Sequence, residues 1–338
     1  MHRRFPTVAC LFAAITAFVC SVFPAEAAKP RILSLSKIWD AGKHNAFTDL
    51  IRFRDRFYCT FREADGHVGG DGKLRVLVSE DGRGWKSAAL LAEKGIDLRD
   101  PKLSITPDGR LMIVAGGSVY KGGRKILGRQ PRVAFSKDGT KWTPTRRVLT
   151  EGDWLWRVTW HKGTAYGAAY RTSPRKSGGK TSDWLLSLYK SKDGLRWEKI
   201  TDLEVPDRPN ETTLRFLPGD EMIALVRREL GTRNGWIGSA KPPYKKWVWT
   251  ETKHRLGGPN FIRLPNGDLW AGSRSYPGGA KTVLAKMTKT SYEPVLTLPS
   301  RGDTSYPGLV WHKGVLWMSY YSSHLGKTSI YLARIQLE

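Results

Sequence analysis

The chain has 338 residues, with 56 lysines and arginines against 31 acidic residues and a formal net charge of +25 at pH 7. Such a surface attracts anionic partners, but the basic residues are dispersed and form no single patch, which argues against nucleic acid as the partner. Beyond the first 27 residues, no apolar stretch reaches the roughly 18 to 20 residues of a membrane-spanning helix, so stable membrane insertion is not expected.

The first 27 residues have the three parts of a secretory signal peptide. Basic residues within Met1–Arg4 precede the apolar run Val8–Phe23, and Ala-Glu-Ala at 25–27 resembles a cleavage site. We therefore expect a secreted or periplasmic protein whose folded part, residues 28–338, is a single domain. After cleavage it would keep only Cys59 and could form no internal disulfide.

The rest of the chain repeats a simple pattern of strand, tight turn and strand. Alternating apolar segments flank turns such as Pro107-Asp108-Gly109, which are strong hairpin signals. Each hairpin predicts the two inner strands of a four-stranded blade, so the sequence predicts an all-β fold, a six-bladed β-propeller of four-stranded antiparallel blades. The six hairpins are 49–63, 100–117, 157–171, 211–229, 260–274 and 306–323.

A second repeat, Ser-x-Asp-Gly-x-x-Trp, occurs three times at intervals of about 55 residues, a period typical of propellers. Its copies are 79–85, 136–142 and 191–197, and residues 239–247 keep a remnant. We expect each copy to form the turn between the third and fourth strands, where Asp81, Asp138 and Asp193 would accept backbone N–H bonds and the Trp would pack between sheets. The strand-like segments 31–40 and 329–338 could pair and close the ring.

Three such turns in register with six hairpins resemble the sialidase (neuraminidase) superfamily of six-bladed propellers, in which this repeat is called the Asp box. The resemblance covers essentially the whole chain after residue 27. It implies a site around the central channel, on the face where the innermost strands begin. It also implies an exo-glycosidase that releases a terminal acidic sugar, with sialic acid as the expected substrate, by a retaining mechanism.

In that family a Tyr activated by a Glu attacks the sugar, an Asp is the acid/base, and three arginines bind the substrate carboxylate. A neutral phenol suits this task because a carboxylate nucleophile would be repelled by the carboxylate on the anomeric carbon. Carried over residue by residue, the resemblance implies Tyr306 as nucleophile, Glu211 as its base, and Arg227 and Arg274 as carboxylate ligands. The loop after the first hairpin would supply the acid/base as Asp65, which we favour, or Asp71.

This chain departs from the family pattern at the first inner strand. Family members begin that strand with Phe-Arg-Ile-Pro, whose Arg binds the carboxylate, whereas residues 46–51 contain no Arg. Arg62, at the end of the neighbouring strand, could substitute. The remaining expected substrate contacts are Asp100, in an Asp-Pro pair, Asp49 at the start of an inner strand, and Arg171, at a strand end like that of Arg62.

Other interpretations of the same residues stay open. Arg227 and Arg274 could form structural ion pairs, for instance to Glu229, Glu211 could cap a strand end, and Tyr306 could only pack. The carboxylates Asp49, Asp100 and Glu211 could instead be the acid and base of another glycoside hydrolase acting on a uronic or sulfated glycan. A third interpretation is a non-catalytic glycan-binding propeller. No His spacing predicts a metal site, so we expect no metal or cofactor, and we expect a monomer. His67 and His324, each near an expected site loop, are further candidates for substrate contact.

Overall fold

The structure is a computed structural model that describes residues 1–2, 29–70, 72–123, 125–172 and 184–337. Residues 3–27 of the expected signal peptide and the candidate Asp71 lie outside these residues. In the described part of the chain, no helix is long and apolar enough to cross a membrane.

Twenty-four strands in these residues form six four-stranded antiparallel sheets, which confirms the predicted six-bladed propeller. Blade 1 consists of β2 (His44–Phe53), β3 (Arg56–Ala64), β4 (Lys73–Ser79) and β5 (Lys86–Leu91). Blade 2 consists of β6 (Asp97–Ile105), β7 (Leu111–Lys121), β8 (Lys125–Ser136) and β9 (Arg146–Arg147). Blade 3 consists of β10 (Asp153–His161), β11 (Thr164–Arg171), β12 (Leu185–Ser191) and β13 (Trp197–Asp202).

The second half of the ring continues the same order. Blade 4 consists of β14 (Pro209–Phe216), β15 (Met222–Arg228), β16 (Asn234–Ala240) and β17 (Val248–Arg255), with a short 3₁₀ turn at Pro218–Asp220. Blade 5 consists of β18 (Asn260–Arg263), β19 (Leu269–Ser275), β20 (Lys281–Met287) and β21 (Tyr292–Thr297). Blade 6 consists of β22 (Thr304–His312), β23 (Val315–Ser322), β24 (Ser329–Gln336) and β1 (Arg31–Trp39).

Blade 6 closes the ring by taking its outer strand from the other end of the chain. β1 pairs with β24 in antiparallel register from Arg31–Gln336 to Trp39–Ile330. The predicted pairing of the two terminal segments is therefore confirmed.

The three Ser-x-Asp-Gly-x-x-Trp turns lie between the third and fourth strands of blades 1, 2 and 3. In the second copy, Asp138 Oδ1 accepts the backbone N–H of residues 140 and 141 at 2.8 Å each, and Trp142 Nε1 donates to the Gly139 carbonyl. Gly139 has φ +79, and a Cβ there would lie 2.2 Å from the Tyr58 ring of the preceding blade. The turn thus both ends a hairpin and holds two blades together, because Tyr58 also donates to the Asp138 carbonyl at 3.0 Å.

Five of the six innermost strands carry a β-bulge at the same level, where two residues face one residue of the second strand. The first bulge residue has a positive φ in three of them, Phe47 (67°), Asp100 (52°) and Tyr306 (53°). A bulge changes the direction of the side chains around it, so this ring of bulges builds the channel mouth. The bulged pairs are 47–48, 100–101, 156–157, 210–211 and 306–307.

Candidate functional site

The centre of the site is a hydrogen-bonded group of Tyr306, Glu211 and Arg227, drawn from the bulges of blades 6 and 4. Tyr306 Oη donates to Glu211 Oε1 at 2.5 Å. Glu211 Oε2 accepts from Arg227 Nη1 and from the backbone N–H of Gly258, both at 2.7 Å. Arg227 Nη1 also lies 3.1 Å from Tyr306 Oη. Tyr306 and Glu211 are only 7% and 5% exposed, so the group acts in a largely dehydrated environment.

The environment fixes the resting charges of this group. Burial opposes the charged form of Glu211, but the Arg227 charge and the hydrogen bonds outweigh it and lower the pKa of the carboxyl. Burial, aided by the Glu211 charge, raises the pKa of Tyr306 well above its ordinary value. The resting pair is therefore a carboxylate hydrogen-bonded to a neutral phenol, so Glu211 can take the phenolic proton when the tyrosine oxygen attacks.

Gly258 is required for this packing. Its φ is +60, and a Cβ would lie 2.5 Å from ring carbons of Tyr306. The same residue donates its N–H to Glu211. Because Gly258, which precedes blade 5, has no side chain, the Tyr306 ring of blade 6 and the Glu211 carboxylate of blade 4 can meet there.

Arg274 lies on the open side of Tyr306, with its guanidinium carbon 5.5 Å from the ring centroid. Its Nε donates to the Thr304 carbonyl at 2.8 Å and its Nη2 to Tyr321 Oη at 3.0 Å. Its Nη1 has no hydrogen-bond partner among the described residues, and its side chain is 15% exposed. Arg227 is 13% exposed and is also paired with Glu229, the structural ion pair considered from the sequence. The two arginines together present positive charge beside Tyr306.

Arg62 does not lie where an arginine could replace the missing one. Its side chain is fully buried, and all three of its nitrogens are used: Nε and Nη2 bind Asp97 at 2.6 and 3.0 Å, and Nη1 binds the Gly66 carbonyl. The bulge explains this, because Phe61 faces the bulge in blade 1 as Arg227 does in blade 4. Arg62 therefore corresponds in position to Arg228, another buried ion-pair residue. The expectation that Arg62 binds substrate is not favoured.

Arg171 and Asp49 are likewise engaged in structural pairs. Arg171 binds Asp153 at 2.7 Å within blade 3. Asp49 is almost fully buried, and its Oδ2 accepts from Arg157 at 2.8 Å and from the backbone N–H of Leu103 at 2.7 Å. These contacts join blades 1, 2 and 3 and do not favour the substrate contacts expected for either residue.

Asp100 has the surroundings of a functional carboxyl. It is 8% exposed, and its Oδ1 has no hydrogen-bond partner in the described structure. Burial raises the pKa of Asp100, although Arg99 and Lys102 oppose the rise. An unpaired buried carboxyl oxygen at the level of Tyr306 can receive a ligand hydroxyl.

Of the two acid/base candidates from the sequence, Asp65 and Asp71, only Asp65 is among the described residues. The Asp65 side chain is 84% exposed, and its nearest charge is Lys43, 3.5 Å away. Asp71 lies outside the described residues. The position of Asp65 in open solvent does not distinguish it from an ordinary surface carboxylate.

Sequence reasoning missed the bulge aromatics Phe47 and Trp156 and the buried lysine Lys102. Phe47 lies in the segment 46–51, which contains no arginine, and its ring is 5.0 Å from that of Tyr306. Lys102 is 2% exposed, and its Nζ lies 4.7 Å from the Trp156 ring and 5.7 Å from the Tyr306 ring. Burial lowers the pKa of Lys102 to about 8. Phe47 could have been noticed from the sequence, since it lies in the segment 46–51 where an arginine was expected.

A further feature, which the sequence did not bring together, is the triad of His44, His67 and Asp303, whose ligand atoms lie within 4.8 Å of one another. His67 Nδ1 and His44 Nε2 both meet Asp303 Oδ2, at 2.7 and 2.9 Å, and Tyr321 donates to Oδ1 at 2.9 Å. Burial would raise the pKa of Asp303, but these hydrogen bonds and the neighbouring positive charge lower it strongly. The atoms are within reach of a shared ion, but the distances are those of N–H donors to a carboxylate, so we interpret the triad as a hydrogen-bond network.

No protein-family model matches the sequence, and no curated protein does. Solved structures do match. A protein of unknown function from Dyadobacter fermentans superposes with a TM-score of 0.80 at 19% identity, covering 92% of this chain and 100% of its own. An α-L-arabinofuranosidase from Fusarium graminearum, in complex with an iminosugar inhibitor, gives 0.69 at 14% identity, covering 90% and 98%.

The sialidase of Trypanosoma rangeli in complex with sialic acid gives a TM-score of 0.66 at 11% identity, covering 91% of this chain and 57% of the sialidase chain. This chain thus spans little more than half of that enzyme. At such identities the shared feature is the fold. The resemblance inferred from the sequence is confirmed at that level: the chain has the six-bladed propeller fold found in sialidase and in α-L-arabinofuranosidase.

Proposed function

We propose that this protein is a glycosidase that releases a terminal acidic sugar, with sialic acid the first candidate, using Tyr306 as nucleophile and Glu211 as its general base. The observation that carries the proposal is the 2.5 Å hydrogen bond between Tyr306 Oη and Glu211 Oε1 beside Arg227. A buried phenol bound to a carboxylate has the geometry of a nucleophile and its activating base.

The reaction would run in two steps with retention. Tyr306 Oη attacks the anomeric carbon while Glu211 takes the phenolic proton, and the bond to the leaving oxygen breaks as that oxygen is protonated. A water molecule then attacks the same carbon, the bond to Tyr306 breaks, and Glu211 returns the proton to the phenolate oxygen. Arg227, next to both oxygens, stabilises the negative charge that moves between them.

The arginine cluster supports an acidic sugar. Arg274 offers a free Nη1 beside Tyr306, and Arg227 contributes charge from the other side. An arginine can bind a carboxylate through two parallel hydrogen bonds. Because residues 46–51 supply no third arginine, we expect weaker carboxylate binding, and hence a higher KM, than three arginines would give. Asp100 is the proposed acceptor for a sugar hydroxyl. We also propose that the protein acts after export, as residues 1–27 suggest.

The test is hydrolysis of a panel of 4-methylumbelliferyl glycosides that includes the sialoside. Tyr306→Phe and Glu211→Gln are each expected to lower turnover about 10²-fold or more, because each removes a group that acts in the transition state. Tyr320→Phe is the matched control, since Tyr320 is another buried tyrosine of blade 6 whose hydroxyl, among the described residues, donates only to the Pro299 carbonyl. Full activity in Tyr306→Phe would refute the proposed nucleophile.

A second candidate rests on the raised pKa and unpartnered Oδ1 of Asp100. Asp100 would be the acid and Glu211 the base of another glycoside hydrolase acting on a uronic or sulfated sugar. Asp49, a member of the carboxylate set inferred from the sequence, is engaged by Arg157. Turnover of a uronide that survives Tyr306→Phe and is lost in Asp100→Asn would favour this candidate. Glycan binding without turnover of any glycoside would favour a non-catalytic propeller.

A further inference from the structure

We propose that His67, oriented by Asp303, is the acid/base that protonates the leaving oxygen, which completes the Tyr306–Glu211 chemistry on which this inference rests. The loop between β3 and β4 carries it. The backbone carbonyl of His67 accepts from Arg99 Nη1 at 2.7 Å, and this bond anchors the loop to blade 2.

The ring of His67 is held beside the nucleophile by Phe47. The edge of Phe47 meets the His67 ring at a centroid distance of 5.2 Å, and the same phenyl ring lies 5.0 Å from that of Tyr306. A sugar bound over Tyr306 would therefore have His67 at its rim. The side chain of His67 is 49% exposed, so a substrate can reach it.

Asp303 determines which nitrogen faces the substrate. His67 Nδ1 is bound to Asp303 Oδ2 at 2.7 Å, and Nε2 has no hydrogen-bond partner in the described part of the chain. A carboxylate at one ring nitrogen sets the tautomer and stabilises the imidazolium, which is the arrangement of an acid/base histidine. Asp303 is itself fixed by Tyr321 and His44, so the ring is held from behind while Nε2 stays open.

The Asp303 carboxylate also links His67 to Arg274, the proposed ligand of the substrate carboxylate. Asp303 Oδ1 lies 3.8 Å from Arg274 Nη2. In an acidic keto sugar the carboxylate and the leaving oxygen are bonded to the same carbon. A group that protonates the leaving oxygen must then lie close to the arginine that binds the carboxylate, and His67 meets this condition. Asp65, 84% exposed and nearest to Lys43, has no such link.

The proton transfer balances the proposed reaction. In the first step, protonated His67 gives its Nε2 proton to the leaving oxygen, which keeps the electron pair of the broken bond. In the second step, neutral Nε2 takes a proton from the attacking water as its oxygen bonds to the anomeric carbon. His67 is then again protonated, and no oxidant, metal or other reactant is needed.

The test compares two glycosides of the same sugar, one with a good leaving group (4-nitrophenyl) and one with a poor leaving group (an alkyl alcohol). His67→Gln is expected to lose about 10²-fold or more of kcat/KM on the alkyl glycoside but only a few-fold on the nitrophenyl glycoside, whose oxygen leaves without protonation. Asp303→Asn is expected to show the same split to a smaller extent. His312→Gln, at the far end of the strand that carries Tyr306, is the matched control.

The outcomes are separable. If His67→Gln loses kcat/KM equally on both glycosides, or loses none, the role of His67 is overturned. The same follows if Asp65→Asn or Asp71→Asn loses kcat/KM mainly on the alkyl glycoside and His67→Gln does not. If the wild-type protein hydrolyses neither glycoside of any sugar tested, the proposed function fails and the role of His67 falls with it. Thermal midpoints are measured for each variant, and His67→Asn replaces His67→Gln if the latter does not fold.

Discussion

Replacing Lys102 by methionine should make the protein more stable and less active. Lys102 is 2% exposed, and in the described part of the chain its ammonium group has only the Thr48 and Pro101 backbone carbonyls as hydrogen-bond acceptors, at 3.4 and 3.1 Å. Burial, followed by the charge of Arg157, lowers the pKa of Lys102 from 10.5 to about 8, although Asp49, Asp100 and Glu211 oppose this. At 1.36 kcal/mol per pKa unit, the charged lysine costs about 3 kcal/mol of folding free energy at pH 7.

The sign of the pH dependence follows from the direction of this shift. Between pH 8 and 10.5 the unfolded chain keeps the Lys102 proton and the folded protein does not, so the stability of the wild type rises with pH in this window. Lys102→Met has no such proton. Its advantage should be about 3 kcal/mol at pH 7 and should disappear near pH 10.5.

The assay is urea unfolding of both proteins at pH 7 and at pH 10, with the exposed Lys162→Met as control. A Lys102→Met protein that is less stable than the wild type at pH 7 would refute the reasoning, because it would mean that the surrounding carboxylates more than offset the burial of the charge. We expect lower turnover in Lys102→Met, since its charge lies 5.7 Å from the Tyr306 ring and stabilises negative charge there.

Three further changes test the scaffold. Gly258→Ala should lower turnover more than tenfold, since a Cβ would lie 2.5 Å from the Tyr306 ring; unchanged kinetics would show that the ring can move. Arg62→Met should lower the unfolding free energy by about 3 kcal/mol or more, because it leaves Asp97 buried without its main partner; a thermal midpoint like that of the wild type would contradict this. Burial would raise the pKa of Asp193, but backbone N–H bonds outweigh it and lower the pKa from 3.8 to about 2, so its stabilising effect is present above pH 3.8 and lost as pH falls through 2. Asp193→Asn should cost under about 1 kcal/mol at pH 7 and progressively less as the pH falls through 2, which acid titration of the midpoint would reveal.

The sequence predicted the propeller because its signals are local. Alternating strands and glycine turns report on neighbouring residues, and the six hairpins follow from them. The placement of Tyr306, Glu211 and Arg227 around one channel followed from the same register and from the family resemblance. All three do meet there.

The bulges could not be predicted, and they explain the misplacement of Arg62. A bulge shifts the strand register by one residue and has no residue signature of its own here, yet it reverses which side chains face the channel. Arg62 was expected to substitute for the missing arginine because it lies at a strand end, but Phe61 and not Arg62 faces the bulge of blade 1, so Arg62 is the equivalent of Arg228. The contact between His67 and Asp303 was missed for another reason, because 236 residues separate the two along the chain.

The pairing of β1 with β24 has a consequence for biosynthesis. Blades 1 to 5 are each built from consecutive strands and can form as the chain emerges, but blade 6 must join its three C-terminal strands to a strand made at the beginning. Tyr306 lies in blade 6 and Glu211 in blade 4, so the two meet only when the circle is completed. A chain released by the ribosome before blade 6 is made would lack both Tyr306 and β22, the strand that carries it, so such a truncated protein would have no Tyr306–Glu211 pair.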